Sequence, residues 1–314
     1  MSRTVWAWGR WLGSGATIAV LVWRLGTSPF LDGIRTVDGR AVAAAAGIGA
    51  LTTVCCAWRW KIVAGGLGVE LSLPAAVVAY YRSLFLNVTL PGGVVGDVHR
   101  GISHGREVSD VGRALRAVAW ERFAGQVVQV VLTVVALLAL ASPVHSSMPW
   151  VALGVVVAGA CLVPFVRARR GGRIRSAVIG DLRHVMLARK AWPAIAFASA
   201  VVVLGHAVTF LIAAHTAGVH ASLWTMLPLA LLAMAVMVLP SVGGWGPREG
   251  ATAWAFGAAG LGASGGVATA VVYGVMVLVA SLPGAAVLVV SWSRRARPPE
   301  RSERRRLREG AAHA

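Results

Sequence analysis

The stretch "LFLNVTLPGGVVGDVHRG", Leu84 to Gly101, begins like a membrane helix, breaks at a proline followed by glycines, and then supplies an aspartate, a histidine and an arginine. An ionised residue at the centre of a membrane helix costs about 2.5–3.5 kcal/mol on insertion scales, so such charges are solvated, paired or held for a ligand. Pro91 disfavours helical geometry at Leu90. Gly92, Gly93 and Gly96 permit unusual backbone angles and close approach of another chain segment. The expected result is a helix interrupted inside the membrane.

The rest of the chain fits that reading. Of 314 residues, 57% are hydrophobic and only 13% charged, against about 25% charged in a soluble domain. Mean hydropathy is +0.71. Charge-free runs such as "VVQVVLTVVALLALA" (Val127 to Ala141) approach the length of a bilayer span. The expected fold class is therefore all-α, a polytopic helical membrane protein with about seven to nine membrane helices. Candidate spans are roughly 11–26, 41–60, 72–90, 126–142, 149–166, 194–217, 223–240 and 267–292, with a short glycine-rich piece at 250–264. Residues 1–292 read as one transmembrane domain and 293–314 as a basic, disordered tail.

The net charge of +18 is mostly arginine, since Lys61 and Lys190 are the only lysines. It lies between and after the apolar runs: Arg167, Arg169, Arg170, Arg173, Arg175, Arg183, Arg189 and Lys190 fill one connection, and "SRRARPPERSERRRLREG" (Ser293 to Gly310) forms the tail. This is a positive-inside pattern, which places both segments in the cytoplasm and argues against a nucleic-acid partner. The connections "SPVHSSMP" and "GVHAS" lack Lys, Arg, Asp and Glu and read as extracytoplasmic. Tryptophans at 6, 8 and 11 suit an interfacial belt, so the N-terminal run is expected to be a retained helix. Cys55, Cys56 and Cys161 suggest buried hydrophobes, with no disulfide framework.

Two topologies suit the front half. If 72–90 crosses fully from Arg59 and Lys61, the basic stretch from Arg100 to Arg116 falls outside, against the charge rule. A re-entrant hairpin around Pro91 removes the conflict, because irregular backbone at depth is tolerated where it faces protein or a water-filled cavity. In the back half, a cytoplasmic tail requires 250–264 to cross as a thin helix.

The opening segment has an echo. "LPGGVVGDVHRG" (Leu90 to Gly101) is matched by "LPSVGGWGPREG" (Leu239 to Gly250), with Pro240, Gly243, Gly244 and Gly246 in the second copy. Paired breaks in corresponding halves are the best sequence pointer to a central binding site in a transporter. Asp97, Glu121 and Glu249 accompany Arg100, Arg122 and Arg248 around the two breaks and the following helix. Asp97 and Arg100 can pair at i, i+3; sequence neighbours such as Arg248 and Glu249 point apart on a helix, so their partners are expected from other segments. Arg82 lies in an otherwise apolar helix, followed by Asn87, and suits either an acid or a phosphate. No catalytic set or metal cluster emerges. "GASG" (Gly262 to Gly265) reads as helix packing, and the pairs His99/His104 and His215/His220 are spaced five apart, off a common helical face.

"YYRSLFLNVTLPGGVVGDVHR" (Tyr80 to Arg100), "WERFAG" (Trp120 to Gly125) and "LPSVGGWGPREG" together resemble the transmembrane region of the lysylphosphatidylglycerol synthetase family, also described as flippase-like. The resemblance spans roughly 11–292. It implies a multi-pass protein of the bacterial inner (plasma) membrane, C-terminus cytoplasmic, that moves or helps to move a phospholipid or polyprenyl-linked headgroup. The positions it singles out are Arg82, Asn87, Pro91, Gly93, Gly96, Asp97, Arg100, Glu121, Arg122, Pro240, Gly243, Gly244, Gly246, Arg248 and Glu249. Full-length synthetases carry a soluble catalytic domain after the membrane part, where this chain has an arginine-rich tail, so the expectation is a non-enzymatic translocase without cofactors. The alternative is a membrane scaffold or enzyme subunit for lipid modification or lipid-linked glycosyl transfer, partnered by a separately encoded transferase.

Overall fold

The computed structural model describes residues 19–20, 22–90, 93–139, 191–237 and 245–296. Pro91, Gly92, Pro240, Gly243 and Gly244, most of the 11–26 span, the 149–166 span, the basic connection, Cys161 and the tail beyond 296 lie outside the described residues. Within them the chain is helical: α1 (Ser28–Arg35), α2 (Gly39–Gly66), α3 (Leu73–Thr89), α4 (Val95–Glu107), α5 (Val111–Ala139), α6 (Trp192–Thr216), α7 (Leu223–Val236), α8 (Pro247–Ala258) and α9 (Ala263–Ala296).

Four of these, α2, α5, α6 and α9, are long and apolar enough to cross a membrane, with mean hydropathies of 1.7, 1.8, 2.3 and 2.2. At 1.5 Å per residue the 28-residue α2 reaches about 42 Å, more than the roughly 30 Å hydrocarbon core. Large apolar side chains stand exposed on them, among them Val54, Leu138, Phe197, Leu204 and Val289. Such a surface suits lipid. Local chemistry starts the helices: the Asp38 carboxylate accepts from Ala41 N–H at 2.8 Å to cap α2, Ser222 caps α7, and prolines in the first turn begin α3, α6 and α8.

The shorter helices form two hairpins. Asn87 meets Gly96, Ser83 meets Asp97 and Tyr80 meets Arg100, so α4 runs back antiparallel along α3. Gly101 then packs on Leu115 and Gly105 on Val111, which turns α5 in the opposite direction to α4. The basic stretch from Arg100 to Arg116 therefore returns to the end at which α3 started, which is the re-entrant solution. A separate helix at 95–107, and a single α5 in which 111–125 is continuous with the 126–139 run, refine the expected spans.

The back half repeats this layout upside down. Arg59 bonds Ser199 and Gly205 packs on Thr52, so α6 is antiparallel to α2. After the turn at Gly218, α7 enters from the far end. Further along, α8 runs antiparallel to α9, with Gly266 against Thr252 and Gly274 beside Arg248. Val219 beside Gly265 and His206 bonded to Tyr273 set α9 antiparallel to α6. The expected crossing at 250–264 is thus corrected: α8 has 12 residues, about 18 Å, and it folds back to the end from which α7 came. Units α2–α5 and α6–α9 each comprise a long helix, two short helices flanking a break, and another long helix, inserted in opposite senses. Inverted repeats with paired interruptions are a recurrent transporter layout.

This topology makes an all-or-none prediction. Single cysteines at Leu67 and Val108 are expected to react with a membrane-impermeant maleimide from one face of sealed vesicles, and a cysteine at His220 from the other face only. Labelling of all three from one face would overturn the hairpin arrangement.

Candidate functional site

At the first break the short helices place polar groups where water is scarce. Asp97, in the first turn of α4, accepts from Ser83 Oγ (3.0 Å) and Asn87 Nδ2 (3.0 Å) on α3 and from Arg100 Nη2 (3.0 Å), and pairs with Arg122 Nη2 at 2.6 Å. Asn87 uses its Oδ1 to accept the Gly96 N–H at 2.8 Å. One amide thereby ties both sides of the break together. Glu121, on α5 and fully buried, accepts from Arg59 Nε (3.0 Å), Tyr80 Oη (3.1 Å) and Arg100 Nη2 (3.0 Å). Arg59 also donates to Ser199 Oγ at 2.9 Å, which brings α6 into the same network.

Arg100 is the hub. Its guanidinium carbon lies 4.4 Å from the Trp60 ring centroid and 4.1 Å from that of Tyr80, within cation–π range of both. Three arginines, Arg59, Arg100 and Arg122, meet two carboxylates, Asp97 and Glu121. Among the described residues these five groups carry one net positive charge. Arg122 is its outlet, with a side chain 43% exposed while those of Arg100 and Glu121 are fully buried.

The second break is balanced. Glu249 Oε2 accepts the Gly246 N–H at 2.6 Å, and Arg248 Nε donates to Glu249 Oε1 at 3.0 Å. The expectation that these neighbours find partners on other segments is corrected: they pair with each other. The reason is their place in the first turn of α8, where Glu249 folds back to cap the helix and Arg248 curls over it. Trp245 and Tyr273 flank Arg248 at 5.2 and 5.5 Å. Gly246, at φ +99°, adopts a backbone conformation that side-chain-bearing residues avoid.

Of the residues singled out in the sequence, Asn87, Gly96, Asp97, Arg100, Glu121 and Arg122 come together, while Gly246, Arg248 and Glu249 form a separate cluster. Gly93, between α3 and α4, has φ +63°. Arg82 is half-buried on α3 next to Ser83. A cavity of about 60 Å³ is lined by Tyr80 and Leu84 on α3, His206 on α6 and Met276 on α9. His206 Nδ1 is 3.0 Å from Tyr273 Oη, whose ring borders Arg248. The His215 and His220 rings meet edge to face at 4.9 Å because the chain turns between them. Among the described residues no group of three or more His, Cys, Asp or Glu is placed to hold a metal ion.

Arg59, Trp60, Tyr80, Ser83 and Ser199 belong to the site although the sequence did not mark them. A span of 41–60 puts Arg59 at a helix end, yet it is 4% exposed, because α2 continues to Gly66. The apolar "IVAGG" (Ile62 to Gly66) beyond Lys61 is the available signal.

These features define a polytopic α-helical membrane protein whose buried charges gather at two oppositely inserted helix breaks. The chain belongs to the lysylphosphatidylglycerol synthase TM region family, whose model matches residues 11–284. That membership ties it to lipid modification or translocation at a membrane. No curated protein matches the chain.

Proposed function

We propose that this protein translocates, or helps to translocate, a lipid with an anionic headgroup, a phospholipid or a polyprenyl-linked lipid, across the bacterial inner membrane. The observation that carries this reading is the excess of one positive charge, among the described residues, in the Arg59–Arg100–Arg122 network at a break whose counterpart enters from the opposite side. A lone buried charge is unfavourable in a membrane, and a headgroup phosphate would neutralise this one. Arg122 would meet the headgroup first, while the acyl chains stay in lipid. Rocking of one inverted unit against the other would alternate access to the site. The positive-inside tendency supports a cytoplasmic location for the ends of α2, α4 and α9, which lie near Lys61, Arg106, Arg113 and Arg116.

The test is transbilayer movement of a headgroup-labelled phosphatidylglycerol in liposomes containing the purified protein. Arg122→Ala removes only the exposed member of the network, so the fold is expected to survive while the rate falls at least about tenfold, the loss of about 1.4 kcal/mol of transition-state stabilisation. Equal rates for wild type, Arg122→Ala and Glu249→Ala would sink the reading. A folded wild type that moves no lipid would favour the enzyme-subunit alternative.

A further inference from the structure

We infer that Trp60, Arg100 and His104 form a binding site for a phosphate group, through nitrogens of Arg100 other than the Nη2 that holds its carboxylates. Four of the five buried side-chain nitrogen or oxygen atoms without a hydrogen-bond partner among the described residues belong to these three residues: Trp60 Nε1, Arg100 Nε, Arg100 Nη1 and His104 Nε2. The residues are packed together. Arg100 and His104 are one turn apart on α4, and Trp60 contacts both, Arg100 at 4.4 Å and the His104 ring edge to face at 5.6 Å. All three are at least nine-tenths buried.

Buried polar groups in folded proteins find partners, so a concentration of unmet nitrogens requires an explanation. Indole N–H and guanidinium N–H are donors only, and an imidazole can donate from Nε2 as well. What is missing is an acceptor with several lone pairs. Water would serve one or two of these atoms but leave the network's net charge in place, whereas an oxyanion meets the donors and the charge together. Depth points the same way. Glu107, three residues beyond His104 and about 4.5 Å further along the helix, has a side chain 73% exposed. His104 therefore lies close beneath the exposed end of the hairpin, within reach of a headgroup phosphate at that end. The inference rests on the lipid reading for the source of the phosphate, but not for the chemistry of the site.

Binding is measured without transport, so either idea can fail alone. Purified full-length protein in detergent micelles is titrated at constant ionic strength with inorganic phosphate, dioleoyl phosphatidate or dioleoylglycerol, and the thermal unfolding midpoint is followed. Wild type and the surface control Lys61→Gln are expected to show a saturable upward shift with phosphatidate and none with dioleoylglycerol. Trp60→Phe and His104→Phe are expected to lose it. A shift with inorganic phosphate as well shows recognition of the phosphate group itself; a shift with phosphatidate alone assigns the site to a lipid. Saturable shifts that persist in both variants, or no shift with either phosphate source, overturn the proposal, the latter leaving water as the partner. Should a variant fail to fold, the Trp60 indole N–H resonance of the wild type decides. Movement on phosphate-source addition supports the site, and a stationary signal rejects it.

Discussion

Replacing Glu121 with alanine is expected to destabilise the protein by about 3–5 kcal/mol, the usual cost of removing one partner from a buried ion pair. Glu121 holds Arg59, Arg100 and Tyr80 at once, from α2, α4 and α3, and it is fully buried. Without it a network already carrying one excess positive charge would carry two, with only Asp97 left to compensate. A loss of that size is a large fraction of the roughly 5–15 kcal/mol by which folded proteins are stable. Denaturant titration in mixed micelles, followed by helical circular dichroism, measures it. Glu121→Gln keeps the shape and the hydrogen-bonding carbonyl but not the charge, so it should lie between alanine and wild type. The double change Arg59→Met with Glu121→Met removes a cation with the anion and is expected to recover part of the loss. If Glu121→Ala costs less than about 1 kcal/mol, the residue behaves like one side of a solvated surface pair, and the buried-network description fails.

Much of this arrangement was legible in the sequence, for a physical reason. The apolar runs had to be helices because backbone in lipid satisfies its own hydrogen bonds, and the Leu-Pro-Gly interruptions are written in residue types that end helices. The pairing of Asp97 with Arg100 followed from their spacing on one helix. Two things could not be read that way. The partner of Glu121 on α2 is separated from it by 62 residues, so nothing local in the sequence joins it to Arg59. Likewise, the echo of "LPGGVVGDVHRG" in "LPSVGGWGPREG" has the same order along the chain in both copies, and only the antiparallel contact of α2 with α6 makes it an inverted pair. The same limit applies to Arg248 and Glu249. Helix-face geometry describes the middle of a helix, and these two sit in a first turn where the unpaired Gly246 N–H attracts the carboxylate.

The hairpin also makes its closest approach at a residue whose replacement adds only a methyl group. A β-carbon built on Gly96 falls 2.0 Å from the Ser83 carbonyl oxygen, a backbone atom that cannot swing aside like a flexible side chain. In Gly96→Ala, α4 must therefore retreat from α3 by about 1 Å or more to reach ordinary contact distance. That movement stretches the Asn87 bond to Gly96 N–H, now 2.8 Å, and the Ser83 bond to Asp97, now 3.0 Å. Overpacking of this kind costs about 1–3 kcal/mol, and a hydrogen bond to a charged group adds about 1.5–3 kcal/mol. The expected loss is about 3 kcal/mol, accompanied by release of Arg122 from Asp97. Gly93→Ala supplies the contrast. Its β-carbon meets nothing within 4 Å, so its cost is limited to the left-handed backbone at φ +63°, about 1–2 kcal/mol, and the network stays intact. Denaturant titration separates the two in stability, and trypsin cleavage after Arg122 in detergent separates them in local order. Gly96→Ala should be cut faster than wild type and Gly93→Ala at the wild-type rate. If the two variants are equally stable and equally resistant, the close contact of α3 with α4 does not hold the charged break together, and the ions there are placed by something other than the hairpin.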